Sequence, residues 1–202
     1  RKGVSRRTPC RSLAAVGRRS DLARRFRFVP ERWTGAERAV CCDGIVPGAA
    51  LQLSHWRGNL TPADLKADTS TEIALRFVAS AYAEPWREAP VLNNHFDTDG
   101  VLSVWTLLDP AAAQARRGLL VAAAEAGDFD AWHDDPAGLR VDAAIRALGE
   151  TCTEDGAAYE RALAALPELL DHIERHETLW GADWKRIQDA ELDIETGRLV
   201  LG

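Results

Sequence analysis

The sequence predicts an α/β protein in which a mixed sheet is flanked by helices and helices dominate the C-terminal half. Three observations carry this expectation. From Phe28 onward, short apolar runs alternate with stretches of helical periodicity. The runs are bounded by glycine, proline and aspartate, which punctuate strands and helices alike. With 202 residues, 46% of them hydrophobic, the chain can bury one substantial core.

In chain order, residues 39–42 and 49–53 read as short strands separated by the turn-rich Asp43-Gly44-Ile45-Val46-Pro47-Gly48. A helix follows: Thr61 is placed to cap it, Pro62 suits its first position and Asp64 its third. It is expected to run to about residue 79, with Leu65, Ile73 and Phe77 facing the core. Residues 91–94 form the next strand, and 100–108 a helix ended by Asp109-Pro110. A helix over 111–126 should stop at Gly127 in a left-handed cap. Further helices fit 138–148 and 154–176, the latter kinked or divided at Pro167. Residues 191–201 alternate around Thr196-Gly197 like a hairpin, and because the chain stops inside that pattern its C-terminus reads as incomplete.

Charge divides the chain in two. The net charge of −6 combines a basic start with an acidic body: residues 1–32 hold 11 Arg or Lys against Asp21 and Glu31, and the remainder holds 14 basic against 29 acidic residues. We read residues 1–27 as a basic, disordered extension and 28–202 as a single α/β domain. The acidic body argues against nucleic acid as the main partner, leaving the leader as the one candidate for it. No apolar run approaches the roughly 18 residues of a membrane span. Four cysteines show no C-x-x-C spacing, so a cytoplasmic, reduced setting is expected.

Chemistry concentrates in Val91-Leu92-Asn93-Asn94-His95-Phe96-Asp97-Thr98-Asp99-Gly100. His95, Asp97 and Asp99 alternate, so an extended backbone sends them to one face. Packed together near apolar surroundings they need a cation or bound protons, and a divalent metal is the simplest neutraliser. The strand–loop–helix order puts them at the C-terminal end of a strand, where open α/β sheets bind ligands. Asp43, at another strand end, and Asp128, in the acidic stretch 127–135, are candidate additional ligands. Ser54-His55-Trp56-Arg57 follows a strand: His55 is a candidate acid or second imidazole ligand, and Arg57, with Asn94, a candidate for holding substrate. Asp97 is the candidate catalytic carboxylate. Asp68 and Glu72 share a helix face, but Glu72 also stands four residues before Arg76, the spacing of an ordinary ion pair. The bland alternative is a solvated acidic turn in which Asp99 caps the helix and His95 packs on Trp105.

With these residues in view, the chain resembles a bacterial family of unknown function. The likeness rests on Leu53-Ser54-His55-Trp56, Thr61-Pro62, the acidic turn over 68–74, the stretch 93–100 and Gly127-Asp128-Phe129. It supplies no activity. More loosely, His95-Phe96-Asp97-Thr98-Asp99-Gly100 is similar to the H-x-D-x-D-G signature of DHH phosphoesterases, although no Asp-His-His triplet exists here. That resemblance implies a Mn²⁺ or Mg²⁺ site at His95, Asp97 and Asp99 and hydrolysis of a phosphorylated small molecule. Phe96-Asp97-Thr98-Asp99-Gly100 also looks like the nucleophile motif of haloacid-dehalogenase-type phosphatases, which would make Asp97 the nucleophile and Asp99 the acid/base. A non-enzymatic ligand-binding or assembly protein, in which the polar network specifies a fold, is the alternative of a different class.

Overall fold

The computed structural model describes residues 25–198. Most of the basic leader and the last four residues lie outside the described residues. Four strands, β1 (Phe26–Phe28), β2 (Val40–Cys42), β3 (Leu51–Leu53) and β4 (Val91–Asn93), form one sheet in the order β1-β4-β2-β3. Every pairing is parallel, with Phe26 opposite Val91, Val40 opposite both Val91 and Leu51. The sheet is therefore parallel among the described residues, not mixed. The hairpin expected over 191–201 does not form in its described part: residues 191–195 continue a helix, and 199–201 lie outside the described residues. Leu192 and Ile194 are among the exposed hydrophobic residues there, so a five-residue alternation does not override a helix already anchored upstream by buried Trp180.

Seven α-helices are described: α1 (Ser70–Val78), α2 (Thr98–Leu108), α3 (Pro110–Ala115), α4 (Arg117–Phe129), α5 (Ala137–Glu150), α6 (Asp155–His172) and α7 (Glu177–Glu195). The α/β class and the helix-rich C-terminal half are thus as the sequence indicates. Boundaries differ where hydroxyl groups found other partners. Thr61 does not cap a helix: its buried hydroxyl accepts from the Ser54 amide and donates to the Ser54 carbonyl, both at 2.8 Å, closing the loop after β3. Residues 63–65 make a single 3₁₀ turn, and the helix begins eight residues later, where Thr69 accepts from the Glu72 amide. Helix α2 starts two residues early because Asp97, not Asp99, caps it. The expected helix over 111–126 breaks at Arg116, and its second half runs through Gly127 to a left-handed Asp130 (φ 51°). Pro167 sits inside α6 without dividing it.

The core lies between the sheet and α1, α2, α4, α5 and α6. Leu53, Ile73, Leu75, Val91, Leu102, Leu120, Ile145 and Leu166 are buried in it, as are the expected Leu65 and Phe77. Arg25 is part of the described fold, its guanidinium donating to the Ala89 carbonyl. Among the described residues no helix is long and apolar enough to cross a membrane, and Cys41, Cys42 and Cys152 are free thiols.

Candidate metal centre

In a parallel sheet all strands release their chains at the same edge, and here three neighbours do so with polar side chains. Asp43 follows β2, His55 stands two residues after β3, and His95 and Asp97 leave the end of β4. The order β4-β2-β3 places Asp43 between the other two sources. Its Oδ2 lies 2.7 Å from His95 Nε2, which is also 3.0 Å from Asp97 Oδ2. Its Oδ1 lies 3.4 Å from His55 Nε2, which also faces Asp99 Oδ2 at 3.8 Å and Asp128 Oδ2 at 3.3 Å. Two groups result, Asp43–His95–Asp97 and Asp43–His55–Asp99, each with ligand atoms within 4.8 Å of one another. Asp43 belongs to both.

The surroundings fix these side chains. Asp43 has φ 58°, a left-handed conformation that aspartate tolerates better than most residues. The Ser70 hydroxyl donates to its Oδ1 at 2.9 Å and accepts from the His55 amide at 3.1 Å. Asp99 is fully buried and its two oxygens accept the Ser70 and Thr71 amides at 2.6 and 2.7 Å, so a carboxylate from the start of α2 neutralises the open N-terminus of α1. Asp97 Oδ1 accepts the Gly100 amide at 2.7 Å, leaving Oδ2 toward His95. Asn93 Oδ1 accepts the Asn94 and His95 amides while its Nδ2 donates to the buried Tyr159 hydroxyl. Gly100 is required here: a Cβ would come within 2.6 Å of both Asn93 Nδ2 and the Tyr159 oxygen.

The tautomers of both imidazoles follow from their outer partners. Asn94 Nδ2 donates to the Ile45 carbonyl, which turns its Oδ1 toward His95 Nδ1 at 3.1 Å. His55 Nδ1 meets the Asp68 carbonyl at 2.7 Å. Both acceptors lack a proton, so each Nδ1 carries the hydrogen and each Nε2 is presented to the carboxylates. This is the arrangement that orients histidine as a metal ligand.

Charge is unbalanced. Asp43, Asp97, Asp99 and Asp128 surround two imidazoles, a deficit of positive charge even with both rings protonated. Burial pushes the Asp43 carboxyl up, but His55, His95 and Ser70 outweigh it and hold it well below the usual range. The hydrogen bond to Asp43 raises His55 to about 9 against burial. Burial pulls the His95 ring down, yet Asp43 and Asp97 prevail and bring it to about 10. Burial, with Asp43 and Asp128 nearby, pushes Asp99 up to about 8. Burial, with Asp97 and Asp43 nearby, lifts Asp128 to about 6. Bound protons thus offset part of the negative charge. The donor set suits a cation: Asp128 Oδ2 is buried with no hydrogen bond of good geometry, its nearest charged neighbour being His55 Nε2 at 3.3 Å.

Of the residues singled out in the sequence, Asp43, His55, His95, Asp97, Asp99 and Asp128 converge. Asn94 lies beside them, donating to the Ile45 carbonyl and facing His95 Nδ1 with its Oδ1. Arg57 does not converge: it is exposed and makes no bond to the cluster. Asp68 contributes its carbonyl, and Glu72 pairs with Arg76 at 3.0 Å. His95 packs on exposed Trp56, with ring centroids 4.7 Å apart, while Trp105 is buried in the core. Ser70, Thr71 and Asn93 were missed; the Thr69-x-x-Glu72 capping pattern was the available signal for the first two.

A family model described as a family of unknown function (DUF6687) matches residues 24–201. The chain belongs to this family. The match covers every residue of the cluster. No curated protein and no solved structure matches the chain.

Proposed function

We propose that the protein is a divalent-metal-dependent hydrolase acting on a phosphorylated small molecule, with Asp43 as the carboxylate shared by two cation positions. The observation that carries this reading is that the two oxygens of one buried aspartate face two separate imidazoles, each already oriented through its Nδ1. Imidazole mixed with carboxylate suits Mn²⁺, and Mg²⁺ where carboxylates predominate. Such ions polarise phosphoryl oxygens and lower the pKa of water. The chain's own groups divide the remaining work. Asp97, the most open of the carboxylates with a side chain 40% exposed, marks the side from which substrate enters. His55 and Asp128, 3.3 Å apart and partly exposed, can hold and pass a proton. Arg57, exposed on the loop beside Trp56, is the cation this reading assigns to a bound phosphate.

The DHH-phosphoesterase likeness of residues 95–100 belongs to this reading. The haloacid-dehalogenase-type alternative is less well supported, since Asp99 has no exposed surface from which to exchange a proton with a leaving group. Free thiols fit a cytoplasmic setting. The test is hydrolysis of a generic phosphomonoester by purified protein with and without Mn²⁺, beside Asp97→Ala. Activity that requires Mn²⁺ and disappears in the variant supports the proposal. Metal bound without hydrolysis would favour the ligand-binding role, and neither metal nor activity would remove the proposal.

A further inference from the structure

A cleft of about 300 Å³ opens beside Asp97, a size within the range of small-molecule sites. Phe96, Thr98, Gly127 and one face of α5, at Asp142, Arg146, Gly149 and Glu150, line it. It adjoins the metal centre: Asp97 lines it and belongs to the Asp43–His95–Asp97 group, and Gly127 in its wall precedes Asp128.

Two glycines keep the walls thin. A Cβ at Gly127 would lie 3.0 Å from Asp142 Oδ1 and 3.1 Å from Thr98 Cβ, and one at Gly149 would enter the Phe96 ring. Bare backbone and an aromatic ring thus make an apolar lining. The polar groups there are already committed. Asp142 is buried, accepting from the Thr98 hydroxyl at 2.6 Å and from Arg146 Nε at 3.0 Å, and Arg146 also donates to Asp183 at 3.0 Å. The one guanidinium in the cleft is therefore neutralised by two carboxylates, and exposed Glu150 adds a further negative charge. A second phosphate entering from the metal centre would meet repulsion, whereas an uncharged body would bury apolar surface.

We propose that this cleft holds the organic part of the substrate, so that the protein acts on a phosphate ester of an alcohol with a flat, uncharged, largely apolar body, and not on inorganic pyrophosphate or polyphosphate. The proposal rests on the hydrolase reading above. It makes Phe96, Gly127, Gly149 and Glu150 specificity-determining residues that touch no cation.

The test is calorimetric binding to the full chain in Mn²⁺, with phenyl phosphate, inorganic phosphate and pyrophosphate as probes and Mn²⁺ titrated separately. Phenyl phosphate should bind roughly tenfold more tightly than inorganic phosphate, as expected for one apolar group in a pocket. Glu150→Lys, on an exposed position that folding tolerates, should strengthen pyrophosphate relative to phenyl phosphate. Equal binding of phenyl phosphate and inorganic phosphate by the unaltered chain, or a Glu150→Lys variant with no change in preference, overturns the cleft assignment while leaving the hydrolase reading intact. A chain that takes up no Mn²⁺ overturns both.

Discussion

Asp43 carries a backbone penalty of about 1–3 kcal/mol for its left-handed conformation, and such strain persists where the surroundings demand it. Two imidazoles and the Ser70 hydroxyl supply that demand. Asp43→Asn keeps a residue that tolerates this conformation while removing the charge, so it should fold and lose Mn²⁺ affinity on the order of 100-fold or more, read by calorimetry. Asn94→Ala separates orientation from ligation: with the His95 Nδ1 partner gone, affinity should fall by about 10- to 100-fold with little change in the unfolding midpoint. The same residues show what the sequence disclosed. His95, Asp97 and Asp99 were legible because their spacing is a local pattern, and Asp43 and His55 because they follow apolar runs. The bond from Asn94 to the Ile45 carbonyl was not legible, because that partner is remote in sequence.

At the scale of elements, one device joins two helices to one site. The carboxylate of Asp99, in the first turn of α2, accepts the first two amides of α1, so that the helices are fixed relative to one another by a ligand candidate. Asp99→Ala leaves both amides buried without acceptors and should destabilise the fold by about 2–4 kcal/mol in urea denaturation, even when metal is absent. Thr69→Ala should cost only about 1 kcal/mol, as an ordinary cap does. Element type was readable wherever periodicity was long, as in α2, α5 and α6. Starts and stops were not, because capping hydroxyls compete for several partners: Thr61 satisfies Ser54 across a loop, and the helix it precedes begins only after Thr69. The terminal helix α7 was misread for a related reason, since alternation over a few residues fits either a strand or the exposed flank of a helix.

For the whole molecule, a purely parallel sheet explains why the site forms at all: each strand delivers its following residue to the same edge, and the order β4-β2-β3 sets Asp43 in the middle. The resulting proton uptake has a direction. His55, His95, Asp99 and Asp128 are all raised above their ordinary values, so the folded chain binds more protons than the unfolded one. Without metal, stability from the two histidines should be full below about pH 6.5 and lost as pH rises through 9 to 10, with Asp99 adding to the decline up to about 8. Asp43, held low, contributes stability lost only in acid. Melting temperatures in a chelator should therefore fall from pH 6 to 10, and Mn²⁺ should flatten that profile because it displaces the protons. Its binding near pH 7.5 should release on the order of two protons, visible as heats that vary with buffer ionisation enthalpy.

The most direct measurement is Mn²⁺ stoichiometry by equilibrium dialysis of the chain and of Asp43→Asn. The account predicts two ions per unaltered chain, with tight binding lost at both positions from the single substitution. Retention of one tight ion by Asp43→Asn, or no bound Mn²⁺ in the unaltered chain at millimolar concentration, would contradict it.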